Sequence, residues 1–371
     1  MAGRVGREAS PPRALSVAVA VLLATSTAVL ATHDVSPLVA PARAAEPDVV
    51  GSVLGVPGQA GVVPPTLPVA VPPLPPVPSP DPGSPLPAAP LPGLPTKPGP
   101  RAVPAGVGPY RGLGTWVDVY DWSRTYTNGQ PRTSPTDLDA MARAGVQTLY
   151  IQASKHDAPG DVLEPDLLRA YLRGARARGI SVVAWYLPTL VDVDRDLRRL
   201  EAIAALDGVD GVAVDIEARD VSDVPERNRR LVELSRALRQ ALPDRTLGAI
   251  VLPPVVLEAI SPAYWPAFPY RQLVPSYDVW MTMGYWTNRK AGSEYRDAYR
   301  YTRENVSRLR ANLGRADAAV HPIGGIGDAT TGADVEGYKR AASEGGAIGG
   351  SIYDWRTTRG EMWARLLDLR R

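Results

Sequence analysis

Residues 208–220 read GVDGVAVDIEARD. An uncharged run, Val212-Ala213-Val214, leads into two acids with one residue between them, Asp215 and Glu217. The β-branched residues mark a strand, in which successive side chains point to opposite faces. Val212, Val214 and Ile216 therefore share one face, and Ala213, Asp215 and Glu217 share the other. Burying two like charges side by side is costly. A strand built this way suits a sheet whose inner face ends at a site where carboxylates are used.

The same kind of run recurs. Apolar stretches fall at 112–120, 146–152, 180–187, 211–217, 246–252, 277–286, 319–325 and 348–355. Segments with apolar residues at three- and four-residue spacing lie between them, such as LEPDLLRAYLRGARARG and VPERNRRLVELSRALRQAL. Glycine ends several of these before the next run, as in Ala144-Gly145-Val146 and Arg178-Gly179-Ile180. Eight strand–helix units in the segment 108–371 predict an α/β fold, a parallel (β/α)₈ TIM barrel. No G-x-G-x-x-G turn follows the first run, which removes the simplest dinucleotide-binding reading.

In such a barrel the chemistry sits at the C-terminal ends of the strands. Alternation places Trp116, Asp118 and Tyr120 inward on the first strand, and Thr148, Tyr150 and Gln152 on the second. It groups Met281, Met283 and Tyr285 on the sixth strand, and Ser351, Tyr353 and Trp355 on the eighth. The expected mouth gathers Asp118, Gln152, Asp215, Glu217, Tyr285 and Trp355. Carboxylates, hydroxyls and flat rings together suit a sugar, whose hydroxyls need acceptors and whose apolar face stacks on aromatics.

The N-terminus carries an export pattern. Arg4, Arg7 and Arg13 precede an uncharged run at residues 14–31, and Ala42-Arg43-Ala44 supplies a small-residue cleavage site. Residues 1–44 are expected to be a signal peptide, with an uncleaved membrane anchor through 14–31 as the alternative. Either places the remainder outside the cytoplasm. Residues 45–107, dominated by proline, predict a disordered linker of extended polyproline II segments. All eight tryptophans follow it. Lys plus Arg total 41 against 39 Asp plus Glu, a balance that gives no pull on nucleic acid. The chain has no cysteine and three scattered histidines, His33, His156 and His321, so no metal site or cofactor is expected.

The strand-four stretch DGVAVDIE, Asp210 to Glu217, resembles the signature D-G-x-D-x-D-x-E of family 18 glycoside hydrolases, the chitinase-like enzymes. Met283-Gly284-Tyr285 resembles their M-x-Y-D, and Trp355 stands like the tryptophan that ends their last strand. The chain departs from the pattern at Ala213, in place of the first signature Asp, at Trp286, after the tyrosine, and on strand three, which lacks S-x-G-G. The resemblance implies Glu217 as proton donor, Asp215 as the residue orienting the substrate acetamido group, and Tyr285 as partner of the acetamido oxygen. Asp118, Gln152, Trp355 and Trp286 are the expected substrate contacts. The implied substrate is an amino-sugar polymer of chitin or peptidoglycan type, acted on by a monomer. The D-x-E of strand four and Asp118 on strand one are also similar to family 25 lysozymes, which implies a muramidase. Ala213 points to a third expectation, a non-catalytic carbohydrate- or wall-binding barrel.

Overall fold

Strands buried on both faces read as near-continuous apolar runs, and each of the eight runs contributes such a strand. The computed structural model describes residues 106–370; the expected export segment and residues 45–105 of the expected linker lie outside the described residues. Among the described residues the strands are β1 (Gly112–Val117), β2 (Thr148–Gln152), β3 (Ser181–Tyr186), β4 (Gly211–Ile216), β5 (Leu247–Val251), β6 (Val279–Thr282), β7 (Ala319–Val320), β8 (Ile323–Ile326) and β9 (Gly349–Tyr353). The α-helices are α1 (Val119–Trp122), α2 (Leu138–Arg143), α3 (Pro165–Arg176), α4 (Val193–Ala204), α5 (Val224–Ala241), α6 (Tyr270–Leu273), α7 (Ala298–Leu313), α8 (Gly332–Glu344) and α9 (Gly360–Leu366).

The strand order is β7-β6-β5-β4-β3-β2-β1-β9-β8, parallel throughout. The two ends of that order meet. Met283, just past β6, bridges to Ile323 in β8, and the Ile348 N–H donates to Val320 O at 2.8 Å. β7 and β8 are thus two halves of one strand position, and the sheet curls into the expected α/β barrel. The break falls at His321-Pro322, because proline has no N–H to give the ladder. Pro322 O accepts from the Tyr338 hydroxyl instead, at 2.7 Å.

Local sequence sets the ends of the elements. Gly145 and Gly179, which lead into β2 and β3, have φ of 83° and 66°, backbone that glycine adopts without strain. Asp192, Asp223 and Thr331 accept backbone N–H bonds at the starts of α4, α5 and α8. Two runs end earlier than alternation suggests. β1 stops at Val117, because Asp118 caps α1 by accepting from the Tyr120 N–H at 2.8 Å, and Tyr120 joins that helix rather than the inner face. β6 stops at Thr282. Gly284 then lies so close to the Ile323 carbonyl that no side chain fits, and Tyr285 and Trp286 follow as a turn.

The barrel interior is layered. Tyr110 plugs the floor, its hydroxyl donating to Val212 O at 2.7 Å and to Thr246 O at 3.2 Å. Gly211 and Gly248 leave space for its ring: a Cβ on either would lie 2.8 or 2.7 Å from a ring carbon. Above it Trp116 stacks on Tyr150, centroids 4.3 Å apart, and meets Trp185 edge-on at 6.1 Å. His321 joins the layers, with Nδ1 2.8 Å from Tyr110 O and Nε2 3.1 Å from Ser351 Oγ. A carbonyl only accepts, so Nδ1 carries the proton. Ser351 Oγ in turn accepts from Trp116 Nε1 at 2.8 Å. Burial holds the His321 ring down to about 4, so it is neutral and structural.

Gly211→Ala should destabilise the fold by about 1–3 kcal/mol through overpacking against Tyr110. Tyr110→Ala alone should cost about 3–5 kcal/mol, the usual range for emptying a buried aromatic site. In the double variant the glycine substitution should become nearly free, because the clashing ring is gone. Denaturant unfolding of the four proteins measures this, and strictly additive losses would contradict the packing described.

Candidate active site

β4 delivers the two acids as its alternation requires. Val212, Val214 and Ile216 are buried against the helices, and Asp215, at the end of the inner face, is buried as well. Glu217, one residue past the strand, is half-buried. Burial first, and then the Glu217 charge, raise the Asp215 carboxyl well above its ordinary value. Among the described residues no arginine or lysine counters this. Arg219, four residues on, lies over the Tyr264 ring, 4.4 Å from its centroid. One Asp215 oxygen, Oδ1, is buried without a hydrogen-bond partner. An unsatisfied buried acceptor costs roughly 1–3 kcal/mol until something donates to it.

Tyr285 sits among the acids. Burial, then Glu217, Asp215, Asp354 and Asp118, all raise its phenol well above the usual value, so the hydroxyl stays a donor at any working pH. Its ring meets Tyr353 edge-on, centroids 5.7 Å apart. The Tyr353 hydroxyl donates to Asp118 Oδ2 at 2.7 Å. Both Asp118 oxygens are therefore engaged, one by Tyr353 and one by the Tyr120 N–H. Burial pushes the Asp118 carboxyl up to about 6, the Tyr353 bond pulling against it and Asp354 adding to it.

Asp118, Asp121 and Asp354 form a buried trio, with one carboxylate oxygen of each within 4.8 Å of the others. Arg356 supplies counter-charge, its Nε donating to Asp121 Oδ1 at 2.5 Å. Even so, burial and the two neighbouring acids push Asp121 up to about 8. Neither Asp121 nor Asp354 is visible to strand alternation, because one lies in α1 and the other in the turn after β9. Tyr353, by contrast, was readable: it shares a face with Ser351 and Trp355 in the sequence.

Three expected substrate contacts serve the fold. Trp286 is fully buried against Gly324, Gly325 and Tyr338, and presents no face to the mouth. Gln152 is buried, and its Oε1 accepts from the Val119 N–H at 3.2 Å, bracing α1. Asp118 is the helix cap and tyrosine partner already described. Trp355 keeps a half-buried ring, leaning on Trp363 with centroids 5.1 Å apart. The structure thus brings Asp215, Glu217 and Tyr285 together, with Asp118 reaching Tyr285 through Tyr353.

No protein-family model matches the chain, and no curated protein matches it in sequence. Solved structures do. The C-terminal domain of a putative chitinase from Desulfitobacterium hafniense aligns over 70% of this chain and 99% of its own, with TM-score 0.54 and 12% identity. The spore cortex-lytic enzyme SleL of Bacillus cereus aligns over 72% of this chain and 76% of its own, with TM-score 0.53 and 11% identity. The fold is that of chitinase-type barrels. A class V chitinase from Pseudomonas fluorescens, covered over 98% of its length at TM-score 0.52 and 11% identity, has the same architecture over 69% of this chain. At such identities the likeness concerns the fold.

The raised acids make stability depend on pH. An acid whose pKa is raised by folding stabilises the fold fully below its unfolded value of about 4, and loses that contribution as pH climbs through the folded value. His321, held down to about 4, acts in the opposite sense, but only below its unfolded value of about 6.5. Asp121 titrates at about 8. Between pH 6.5 and 8 the melting temperature should therefore fall, and Asp121→Asn should flatten the slope. The same slope in the variant would contradict the assignment.

Proposed function

We propose that this protein is an exported glycoside hydrolase acting on an amino-sugar polymer of chitin or peptidoglycan type. Glu217 is the general acid, Asp215 orients the substrate acetamido group, and Tyr285 donates to the acetamido oxygen. The observation that carries this reading is the buried, unpartnered Oδ1 of Asp215 beside Glu217. An N–H donor is what that oxygen lacks, and an acetamido group brings one.

The chemistry follows from the proton. Before substrate binds, burial and the Glu217 charge both oppose ionisation of Asp215. An acetamido N–H donating to Oδ1 stabilises the ionised form, which favours placing the shared proton on Glu217. Glu217 then gives it to the glycosidic oxygen as the bond to the anomeric carbon breaks. The acetamido oxygen, held by the Tyr285 hydroxyl, closes on that carbon, so no protein nucleophile is required. Water reopens the ring, returning its proton to Glu217.

The lysozyme-like alternative needs a second free carboxylate. Asp118 fits it poorly, since both its oxygens already accept bonds within the protein. Ala213, buried where the chitinase-like signature carries an acid, favours a second reading, a barrel that binds glycan without cleaving it. Export belongs to the same proposal and rests on the pattern in residues 1–44; the protein then works outside the cytoplasm as a monomer, released or held through residues 14–31.

Glu217→Gln keeps the shape of the side chain but cannot donate the proton. It should lower the hydrolysis rate by about 10²- to 10⁴-fold while leaving the melting temperature and oligosaccharide binding near those of the parent. Product analysis by mass spectrometry on chitin oligomers and peptidoglycan glycan strands reads the outcome. An unchanged rate in the purified variant rules out Glu217 as the acid, and binding without turnover in the parent supports the binding-barrel reading.

A further inference from the structure

Tyr285 stands in a turn, three residues past β6, yet the bond proposed for it above needs a hydroxyl held in one place. A neighbouring ring steadies it. Tyr353, the last residue of β9, meets Tyr285 edge-on, with centroids 5.7 Å apart. The two reach each other across β8, which lies between β9 and the bridge to Met283. Trp116 lies against Tyr353 as well, at 6.2 Å between centroids. Ring contacts tolerate centroid separations of about 4.5–7 Å, so packing alone lets a ring slide. A hydrogen bond is far more directional.

Tyr353 has such a bond. Its hydroxyl donates to Asp118 Oδ2 at 2.7 Å, the length of a bond to an ionised acceptor. Asp118 is itself fixed. It stands just past β1, the strand paired with β9, and accepts from the Tyr120 N–H at 2.8 Å. Gln152 braces the same turn by accepting from the Val119 N–H at 3.2 Å. Capping α1 does not account for the burial of Asp118. The caps Asp192 and Asp223 are exposed, whereas Asp118 is fully buried, which is costly for a carboxylate. What burial adds is reach to the Tyr353 hydroxyl. Resting on the glycan-cleaving reading above, we propose that Asp118 and Tyr353 are positioning residues for the reaction. Their hydrogen bond fixes the ring against which Tyr285 packs, and so aligns the Tyr285 hydroxyl on the acetamido oxygen as that oxygen closes on the anomeric carbon.

That alignment is demanded in the transition state, while hold on the glycan is spread over other contacts. The test uses the full chain, with initial rates on chitin oligomers and on peptidoglycan glycan strands read by mass spectrometry. Melting curves establish that each variant is folded at the assay temperature. Tyr353→Phe deletes the hydroxyl and keeps the ring. It should lower kcat by about 10- to 100-fold, as a misplacement on the order of 1 Å does, with KM near that of the parent. Asp118→Asn keeps an oxygen to cap α1 but offers Tyr353 a neutral amide, so kcat should fall in the same way. Either variant decides the matter if the other does not fold. The two together should be no slower than the slower one alone, because both weaken one bond. In a Tyr285→Phe background, Tyr353→Phe should cost little more, because it acts through the hydroxyl already removed. If that background is too slow to follow, the split between kcat and KM decides. A folded Tyr353→Phe protein with the parent kcat, or with only KM raised, would overturn the positioning role alone. So would an equal loss in the Tyr285→Phe background. A parent protein that cleaves neither glycan would sink the hydrolase reading and this role with it.

Discussion

Desolvation of carboxylates around one tyrosine governs the open end of this barrel. Asp215, Glu217, Asp118 and Asp354 all act on the Tyr285 hydroxyl. Each acid there is balanced differently. Asp118 is held by two donors, Asp121 by an arginine, and Asp215 has an oxygen, Oδ1, buried with no donor. An isolated carboxylate out of water keeps its proton until a donor arrives. The arrangement costs stability and supplies reactivity, because a substrate able to donate to Asp215 changes where the proton rests.

The rest of the fold keeps those groups in place. The aromatic layer of Trp116, Tyr150 and Trp185 and the neutral His321 form a dry, hydrogen-bonded base beneath them. Tyr110 seals the bottom through two backbone carbonyls, Val212 O in β4 and Thr246 O just before β5. Loops at the mouth are fixed by buried side chains as well. Arg199 on α4, for example, donates to Ser154 Oγ at 2.7 Å and to Ala158 O at 2.8 Å in the loop after β2. Closely packed interiors of this kind hold side chains in single rotamers, which positions a reacting group without a ligand's help.

The sequence carried the strands and the acid pair clearly, because period-two alternation survives wherever a strand is straight. Asp215 and Glu217 were legible for that reason. Alternation stops applying where strands end. Asp118 and Tyr285 lie one and three residues past theirs, and the backbone there is set by a cap, which takes Tyr120 off the inner face, and by a glycine packed on Ile323 O. Asp121, Asp354 and Arg356 come together through tertiary contacts that no spacing announces. Trp286 looked like a platform for a sugar and is core, since ring exposure depends on what covers it.

The account turns on Asp215 receiving an acetamido N–H, and one comparison addresses that directly. Two oligomers are prepared that differ only in the sugar on the non-leaving side of the cleaved bond, N-acetylglucosamine in one and glucose in the other, and their initial rates of cleavage are measured with the full chain. The account predicts cleavage of the first and no detectable cleavage of the second, because the acetamido group is both the donor to Asp215 and the nucleophile. Equal rates for the two oligomers would contradict it.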